Sequence, residues 1–232
     1  MRIKNIKFLW VAVAVVILNF SALLMLAAPA SAQALAHSKK RPATIPVASR
    51  VLQPELRMGA VALHPCGYNP QFYCGSLPRA LDPTGQVAGT IHIHFEVDLH
   101  TDKSQPPLET LVAEEGGPGF GSTMSGGGYR TMFGPLLARH DLVLMDQRGT
   151  GYSQAIDCPV LQNELDITQY GVIQCGAQLG TQSDLYGTGL ATDDLAAILD
   201  ALGVGKIDLY GDSYEHFSAR RFRRGIHSVC VR

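Results

Sequence analysis

From Gly89 onward, apolar and polar side chains alternate with the two-residue period of a β-strand that buries one face. The apolar face consists of Ile91, Ile93, Phe95 and Val97. The other face carries His92, His94 and Glu96, and we expect solvent to cover it. A metal site at His92 and His94 is the alternative, but no third ligand is visible in the pattern.

Further along the chain, short apolar runs alternate with helical patterns. The predicted elements are a strand at 110–113, a helix at 129–139, a strand at 141–146, a helix at 190–202 and a strand at 206–210. Pro135 should bend the first helix or mark a later start, and Gly203 should stop the second. Asp193 and Asp194 lie near the positive N-terminal end of that second helix. This alternation predicts an α/β fold with a mostly parallel sheet and flanking helices.

The composition fits one globular domain of ordinary size. The chain has 232 residues, of which 46% are hydrophobic and 17% charged, which excludes a disordered chain and a repeat array. The formal net charge is −1, too balanced for binding nucleic acid by charge alone. Residues 33–214 are nevertheless acidic, while residues 215–232 carry five arginines and one glutamate.

The first 32 residues are typical of a secretory signal peptide. A basic start precedes an apolar run at 8–28 and the small residues Ala30, Ser31 and Ala32, which form a cleavage pattern. We therefore expect a secreted, periplasmic or extracellular protein that is free of the membrane once the signal is removed. A retained membrane anchor is the alternative, because the apolar run is long for a signal. Residues 33–60, rich in proline and lysine, are predicted to form a linker-like extended arm.

Five cysteines in an exported chain suggest disulfides. Cys66 and Cys74 bracket a turn-rich stretch, and Cys158 and Cys175 bracket a loop after a predicted strand, so both pairs suit local disulfides. Four cysteines allow three pairings, and only proximity favours this one. Buried free thiols are the alternative. Cys230 is left over, and no Cys or His spacing indicates a metal site.

A glycine-rich stretch at 116–121, which includes Gly116 and Gly117, follows the strand predicted at 110–113. Glycine permits positive φ and close approach to the backbone, so N–H groups there can point at a developing negative charge. A phosphate-binding loop is disfavoured, because the Gly-Lys-Ser/Thr ending is missing. A flexible loop with no chemical role remains the alternative.

Ser213 lies in a Gly-Asp-Ser-Tyr turn directly after the strand predicted at 206–210. A serine in a tight strand-to-helix turn projects its hydroxyl above the carboxyl edge of the sheet, where a base can take its proton. The next backbone N–H and one from the glycine-rich stretch can then hold the oxyanion together. Gly-x-Ser alone is a weak signal, but its position relative to the glycine-rich stretch strengthens it.

Three motifs carry a resemblance to a known family. They are Glu-Gly-Gly-Pro-Gly at 115–119, Asp-Gln-Arg-Gly-Thr-Gly-Tyr-Ser at 146–153 and Tyr-Gly-Asp-Ser-Tyr at 210–214. In order and spacing they resemble the signatures of α/β-hydrolases of the prolyl iminopeptidase and secreted tripeptidyl aminopeptidase group. The resemblance covers roughly residues 60–214 and implies the N-terminal part of an α/β-hydrolase fold.

The resemblance also implies roles for individual residues. Ser213 would be the nucleophile, and the backbone amides of Tyr214 and of Gly117 or Gly116 would form the oxyanion hole. Asp146 and Arg148 would brace the strand end and the loop. A serine mechanism needs no cofactor or metal, so we expect none, and the partner would be a peptide or ester substrate.

The chain departs from the family's pattern after Tyr214. Glu215 stands where the family has the second glycine of the nucleophile turn. The acid and base of the triad normally follow the nucleophile in the chain, and only nineteen residues follow Ser213 here. The arginine-rich tail at 215–232 does not fit a helix packed on a sheet. We therefore interpret the chain as truncated or frameshifted just after the nucleophile.

The sequence thus predicts a signal peptide at 1–32, an arm at 33–60, a partial α/β-hydrolase domain at 61–214 and an aberrant basic tail at 215–232. The predicted function is an exported serine hydrolase of the aminopeptidase or esterase type that this truncated chain leaves inactive. The alternative is a non-catalytic exported fragment or pseudoenzyme with a binding role.

Overall fold

A computed structural model describes residues 54–117, 119–162, 169–212 and 229–230. All of these belong to one compact unit, residues 50–232. The predicted signal peptide, most of the predicted arm, Ser213, Tyr214 and most of the basic tail lie outside the described residues. Among the helices in the described ranges, none has both the length and the apolar character needed to cross a bilayer.

Eight strands of the described part of the chain form one open mixed sheet. They are β1 (Leu56–Met58), β2 (Val61–Cys66), β3 (Asn69–Ala80), β4 (Thr90–Asp98), β5 (Thr110–Glu114), β6 (Leu142–Met145), β7 (Ile207–Gly211) and β8 (Val229–Cys230). Their order across the sheet is β1-β2-β3-β4-β6-β5-β7-β8. Pairing is antiparallel from β1 through β4 to β6, and parallel from β6 through β5 and β7 to β8. The predicted α/β architecture is confirmed.

Within the described ranges, four α-helices and three 3₁₀ segments connect the strands. The α-helices are α1 (Gly126–Phe133), α2 (Pro159–Gln162), α3 (Gln169–Leu179) and α4 (Thr188–Leu202), and the 3₁₀ segments are Ser122–Ser125, Gly134–Ala138 and Gly180–Tyr186. The helix predicted at 129–139 starts earlier, at Gly126. It ends at Phe133, because Gly134 adopts a φ of +37° and Pro135 lies at the start of a separate 3₁₀ segment. The predicted stop of α4 is confirmed: Gly203, at a φ of +72°, donates its N–H to Asp200 and Leu199.

The sheet has a hydrophobic core on each face. The four alternating apolar residues of β4 are buried in one core, which they share with Leu195, Ile198, Leu199 and Leu202 of α4. The other core contains Phe72, Leu111, Leu142 and Leu144, together with Tyr129 of α1. Successive residues of β6 alternate between the two cores, as the pleat requires. The strand pattern therefore predicted the buried face of β4 correctly.

The expectation that solvent covers the other face of β4 is wrong in part. His92 is exposed, but His94 is only partly exposed and Glu96 is fully buried. Tyr68 covers this face and donates a 2.5 Å hydrogen bond from its hydroxyl to Oε1 of Glu96. The Tyr152 ring stacks on that of Tyr68 and meets His94 edge-on. Burial, followed by the Glu96 carboxylate, raises the pKa of Tyr68.

Four of the described strands, β1, β2, β3 and β8, occur where the sequence predicted none. β1 lies at the end of the predicted arm, and β2 and β3 contain prolines that interrupt an alternating pattern. Pro78 pairs with β4 but lies beyond the part of β3 that pairs with β2, so the side of β3 towards β2 needs no N–H donor at this position. Two residues of the predicted basic tail form β8, which pairs with Ile207 and Asp208 at the start of β7.

Both predicted disulfides are present. Cys66–Cys74 links β2 to β3 at an S–S distance of 2.02 Å, and Cys158–Cys175 ties the residue before α2 to α3 at 1.95 Å. Both disulfides therefore link segments that lie outside the parallel strands of the sheet. The side chain of Cys230 lies outside the described part of the chain.

Candidate active site

The carboxyl ends of β5 and β7 meet at one edge of the sheet. Glu114 pairs with Gly211, and the backbone N–H of Asp212 donates to the Glu114 carbonyl at 3.1 Å. Gly116 and Gly117 follow β5, so the glycine-rich loop begins beside the point that the chain reaches at Asp212. Ser213 and Tyr214 lie outside the described residues, and the distance from the Ser213 hydroxyl to the loop amides stays a prediction.

The loop after β5 requires glycine at specific positions. Gly117 has a φ of +124° and Gly119 a φ of +115°, conformations that residues with a side chain rarely adopt. A Cβ at Gly117 would also approach Cδ2 of Phe120 to 3.0 Å and the Gly119 nitrogen to 3.1 Å. The backbone is therefore bare at the place where an oxyanion hole needs its N–H donors.

Side chains close this loop at its base. The Glu115 N–H donates to Oγ of the buried Ser122 at 2.9 Å, which joins the two ends of the loop. The Tyr129 hydroxyl donates to Oε2 of Glu115 at 3.3 Å. Burial and the adjacent Glu115 carboxylate raise the pKa of Tyr129, so its hydroxyl remains a donor at neutral pH. The loop is thus held between β5 and α1.

Asp146 connects the glycine-rich loop to the loop after β6. Its fully buried carboxylate accepts hydrogen bonds from the Thr123 N–H at 3.0 Å, the Thr123 hydroxyl at 3.0 Å and the Tyr152 N–H at 2.8 Å. A Cβ at Gly121 would approach Oδ1 of Asp146 to 2.7 Å, and one at Gly151 would overlap the same carboxylate. The predicted bracing role of Asp146 is confirmed.

Arg148 fastens the loop after β6 to the body of the domain. It is buried and forms a bidentate ion pair with Asp194 of α4, while its Nη1 donates to the carbonyls of Leu81 at 3.0 Å and Leu185 at 2.9 Å. The predicted bracing role of Arg148 is also confirmed. Asp194 lies in the middle of α4 and binds arginine, so its role is not that of a charge near the helix N-terminus.

Sequence reasoning missed three residues that hold the site: Ser122, Thr123 and Asp194. Each bonds a residue outside its own element, so its partner cannot be read from the neighbouring sequence. The hydroxyl-bearing pair directly after the glycine-rich stretch was the available signal, because such side chains often bond nearby backbone groups. Phe120 and Met124 beside the loop are 66% and 77% exposed, and they offer apolar surface at the same edge of the sheet.

Comparison with known proteins agrees with this geometry. Residues 109–214 match the family model described as the alpha/beta hydrolase fold. One similar solved structure, a "putative hydrolase" from Agrobacterium vitis S4, is 14% identical with a TM-score of 0.41. The match covers 69% of this chain, which spans about half (49%) of the length of that structure. No curated protein matches. The described residues form an α/β fold with an open, mixed sheet, and part of this sheet lies in the region that matches the alpha/beta hydrolase model.

Proposed function

We propose that this protein is an exported serine hydrolase of the aminopeptidase or esterase type, with Ser213 as its nucleophile. The observation that carries the proposal is the meeting of two strand ends: β5 leads into Gly116 and Gly117, and β7 leads to Asp212 beside it. The family match includes both the glycine-rich loop and Ser213. In this fold the nucleophile and oxyanion donors occupy these two strand ends.

In the proposed reaction, Oγ of Ser213 attacks the carbonyl carbon of a peptide or ester while a general base takes its proton. The backbone amides of Tyr214 and of Gly117 or Gly116 stabilise the oxyanion, and the leaving amine or alcohol takes up a proton as the acyl-enzyme forms. Water then releases the acid. The triad acid and base follow the nucleophile in this fold's chain order, so His92, His94 and His140 are not candidates for the base.

A fluorophosphonate probe tests the nucleophile directly, because it phosphonylates an activated serine without needing a known substrate. Although the sequence after Tyr214 favours an inactive chain, the proposal requires that the folded full chain be labelled at Ser213, as located by peptide mass spectrometry. Ser213→Ala should abolish labelling. Ser104→Ala, which changes an exposed serine in the loop before β5, should leave it unchanged. Absence of labelling in folded protein would contradict the proposal.

A non-catalytic binding role is the second candidate function. Glu215 favours it, because a side chain two residues after the nucleophile crowds a turn where this fold needs glycine. If Glu215 blocks the site, Glu215→Gly should increase fluorophosphonate labelling at Ser213. Labelling of the parent chain that equals that of the glycine variant would argue against a pseudoenzyme.

Export is part of the same proposal. The two disulfides suit an oxidising compartment, and the first 32 residues have the pattern of a signal peptide. N-terminal sequencing of protein recovered from the periplasm or medium should find Gln33 as the first residue. Recovery of uncleaved chain from the membrane fraction would instead support the retained anchor.

A further inference from the structure

Three metal-binding side chains meet at the amino ends of the parallel strands, on the edge of the sheet opposite the candidate active site. Glu109 precedes β5, His140 precedes β6, and Asp208 is the second residue of β7. One potential ligand atom from each residue lies within 4.8 Å of the other two. Zinc ligands lie about 2.0–2.2 Å from the ion, so small side-chain rotations would bring these three donors onto one ion, and the cluster has the composition of a metal site.

The backbone register brings these residues together. Leu111 pairs with Leu142 on one side and with Asp208 on the other. The pairing continues towards the amino ends, since the Leu108 N–H donates to the Arg139 carbonyl at 2.7 Å. Glu109 is therefore beside His140, and Asp208 is the diagonal neighbour on the same face. The three positions are fixed by the sheet rather than by a loop.

The imidazole of His140 is already oriented. Its Nδ1 lies 2.9 Å from the Leu136 carbonyl, which can only accept, so Nδ1 carries the hydrogen. The lone pair is left on Nε2, the nitrogen available to a metal. A histidine held through its other nitrogen by a backbone carbonyl is the usual arrangement in metal sites, where it fixes the ring and the tautomer.

Neither carboxylate is neutralised within the described residues. Glu109 and Asp208 form no ion pair there. Glu109 and Lys206 line one cavity, and this cavity has a volume of about 410 Å³. Two unpaired carboxylates at this separation repel each other, and a divalent cation between them removes that repulsion. Glu109 is exposed, so an ion can reach the cluster from solvent.

We propose that Glu109, His140 and Asp208 bind one divalent transition-metal ion, with Zn²⁺ as the best match. Two carboxylate oxygens and one imidazole nitrogen suit Zn²⁺ with water as a fourth ligand, whereas Mg²⁺ and Ca²⁺ favour oxygen ligands alone. The ion joins the amino ends of the three strands whose opposite ends carry the candidate active site. The site stands independently of the proposed hydrolase activity.

The test is Zn²⁺ binding by the full chain, purified without a polyhistidine tag and stripped of metal with EDTA. Calorimetric titration should show one equivalent of Zn²⁺ bound, and the melting temperature should rise with Zn²⁺ but not with equal Mg²⁺ or Ca²⁺. Glu109→Gln, His140→Gln and Asp208→Asn should each weaken binding at least tenfold. His92→Gln, which changes an exposed histidine of β4, should not alter it.

Glu109→Gln is the decisive variant, because Glu109 is exposed and the change preserves its shape, so the fold survives. Far-ultraviolet circular dichroism of the metal-free proteins checks this. Unchanged Zn²⁺ affinity in folded Glu109→Gln would overturn the proposal, and so would the absence of saturable binding in the parent chain.

Discussion

Arg148 binds both carboxylate oxygens of Asp194, from Nε to Oδ2 at 2.7 Å and from Nη2 to Oδ1 at 2.9 Å. Both side chains are buried, and the pair joins the loop after β6 to the middle of α4. Because α4 leads into β7, this ion pair connects the loop after β6 to the strand that precedes Ser213. The candidate site therefore depends on a contact that lies inside the domain.

Replacing Arg148 with methionine should lower the free energy of unfolding by about 3–5 kcal/mol, because it leaves the Asp194 carboxylate buried with too few partners. Urea denaturation measures the loss. Arg79→Met is the matched control: Arg79 also donates to Asp194, at 3.0 Å, but its side chain is 32% exposed, so we expect a loss of about 1 kcal/mol. Equal losses in the two variants would contradict the ranking.

Replacing Gly151 with alanine should destabilise the protein by about 1–3 kcal/mol, since its φ of +46° disfavours a side chain and the new methyl group would overlap the Asp146 carboxylate. Thermal unfolding measures the change. Gly127→Ala is the control, because a Cβ in that turn of α1 meets nothing within 4 Å. Its stability should stay equal or rise by up to about 1 kcal/mol. An unchanged melting temperature for Gly151→Ala would contradict this prediction and show that the loop after β6 can shift to make room for the methyl group.

Removing either disulfide by paired Cys→Ala substitution should cost roughly 2–4 kcal/mol. The cost should be larger for Cys158–Cys175, with a sequence separation of 17, than for Cys66–Cys74, with a separation of 8, because the longer loop leaves more freedom in the unfolded chain. Denaturation of the two double variants measures the difference. The reverse order would mean that strand packing outweighs loop length.

Stability should fall as the pH rises above about 10, where an unfolded tyrosine ionises. Burial raises the pKa of Tyr129, so the folded state keeps a proton that the unfolded state loses, and stability declines through this window by up to about 1.4 kcal/mol per pH unit. Denaturation between pH 9 and 11 measures the slope. Tyr129→Phe should reduce the slope and leave the part that comes from Tyr68, whose pKa is also raised, whereas Tyr170→Phe, at an exposed position, should not change it.

Local patterns predicted the elements that single stretches of sequence can specify. The alternation in β4 and the helical spacing of Leu195, Ile198 and Leu199 each encode one buried face, and both were correct. Gly203 marked a helix end for a similar local reason. The prolines of β2 and β3 hid those strands, because they interrupt the usual alternation. Pro65 lies beyond the part of β2 that pairs with β1, and Pro78 lies beyond the part of β3 that pairs with β2, so a missing N–H is tolerated there.

The contacts that hold the candidate site could not be predicted in this way. Arg148 and Asp194 are 46 residues apart, and the Tyr68 hydroxyl that donates to the buried Glu96 comes from 28 residues earlier in the chain. The Glu109, His140 and Asp208 cluster depends on the register of three strands, which no single stretch reveals. The position of the nucleophile was inferred from a short motif, and its geometry remains a prediction.

The turn between β1 and β2 packs against the end of α4. The Ala60 N–H donates to the Ala201 carbonyl at 2.8 Å, and Gly59, at a φ of +55°, leaves no room there for a side chain. The first hairpin of the domain thus finds its partner about 140 residues later in the chain. During synthesis this contact can form only after α4 has been made, and contacts between residues far apart in the sequence slow folding. We expect the hairpin to dock only after α4 has formed.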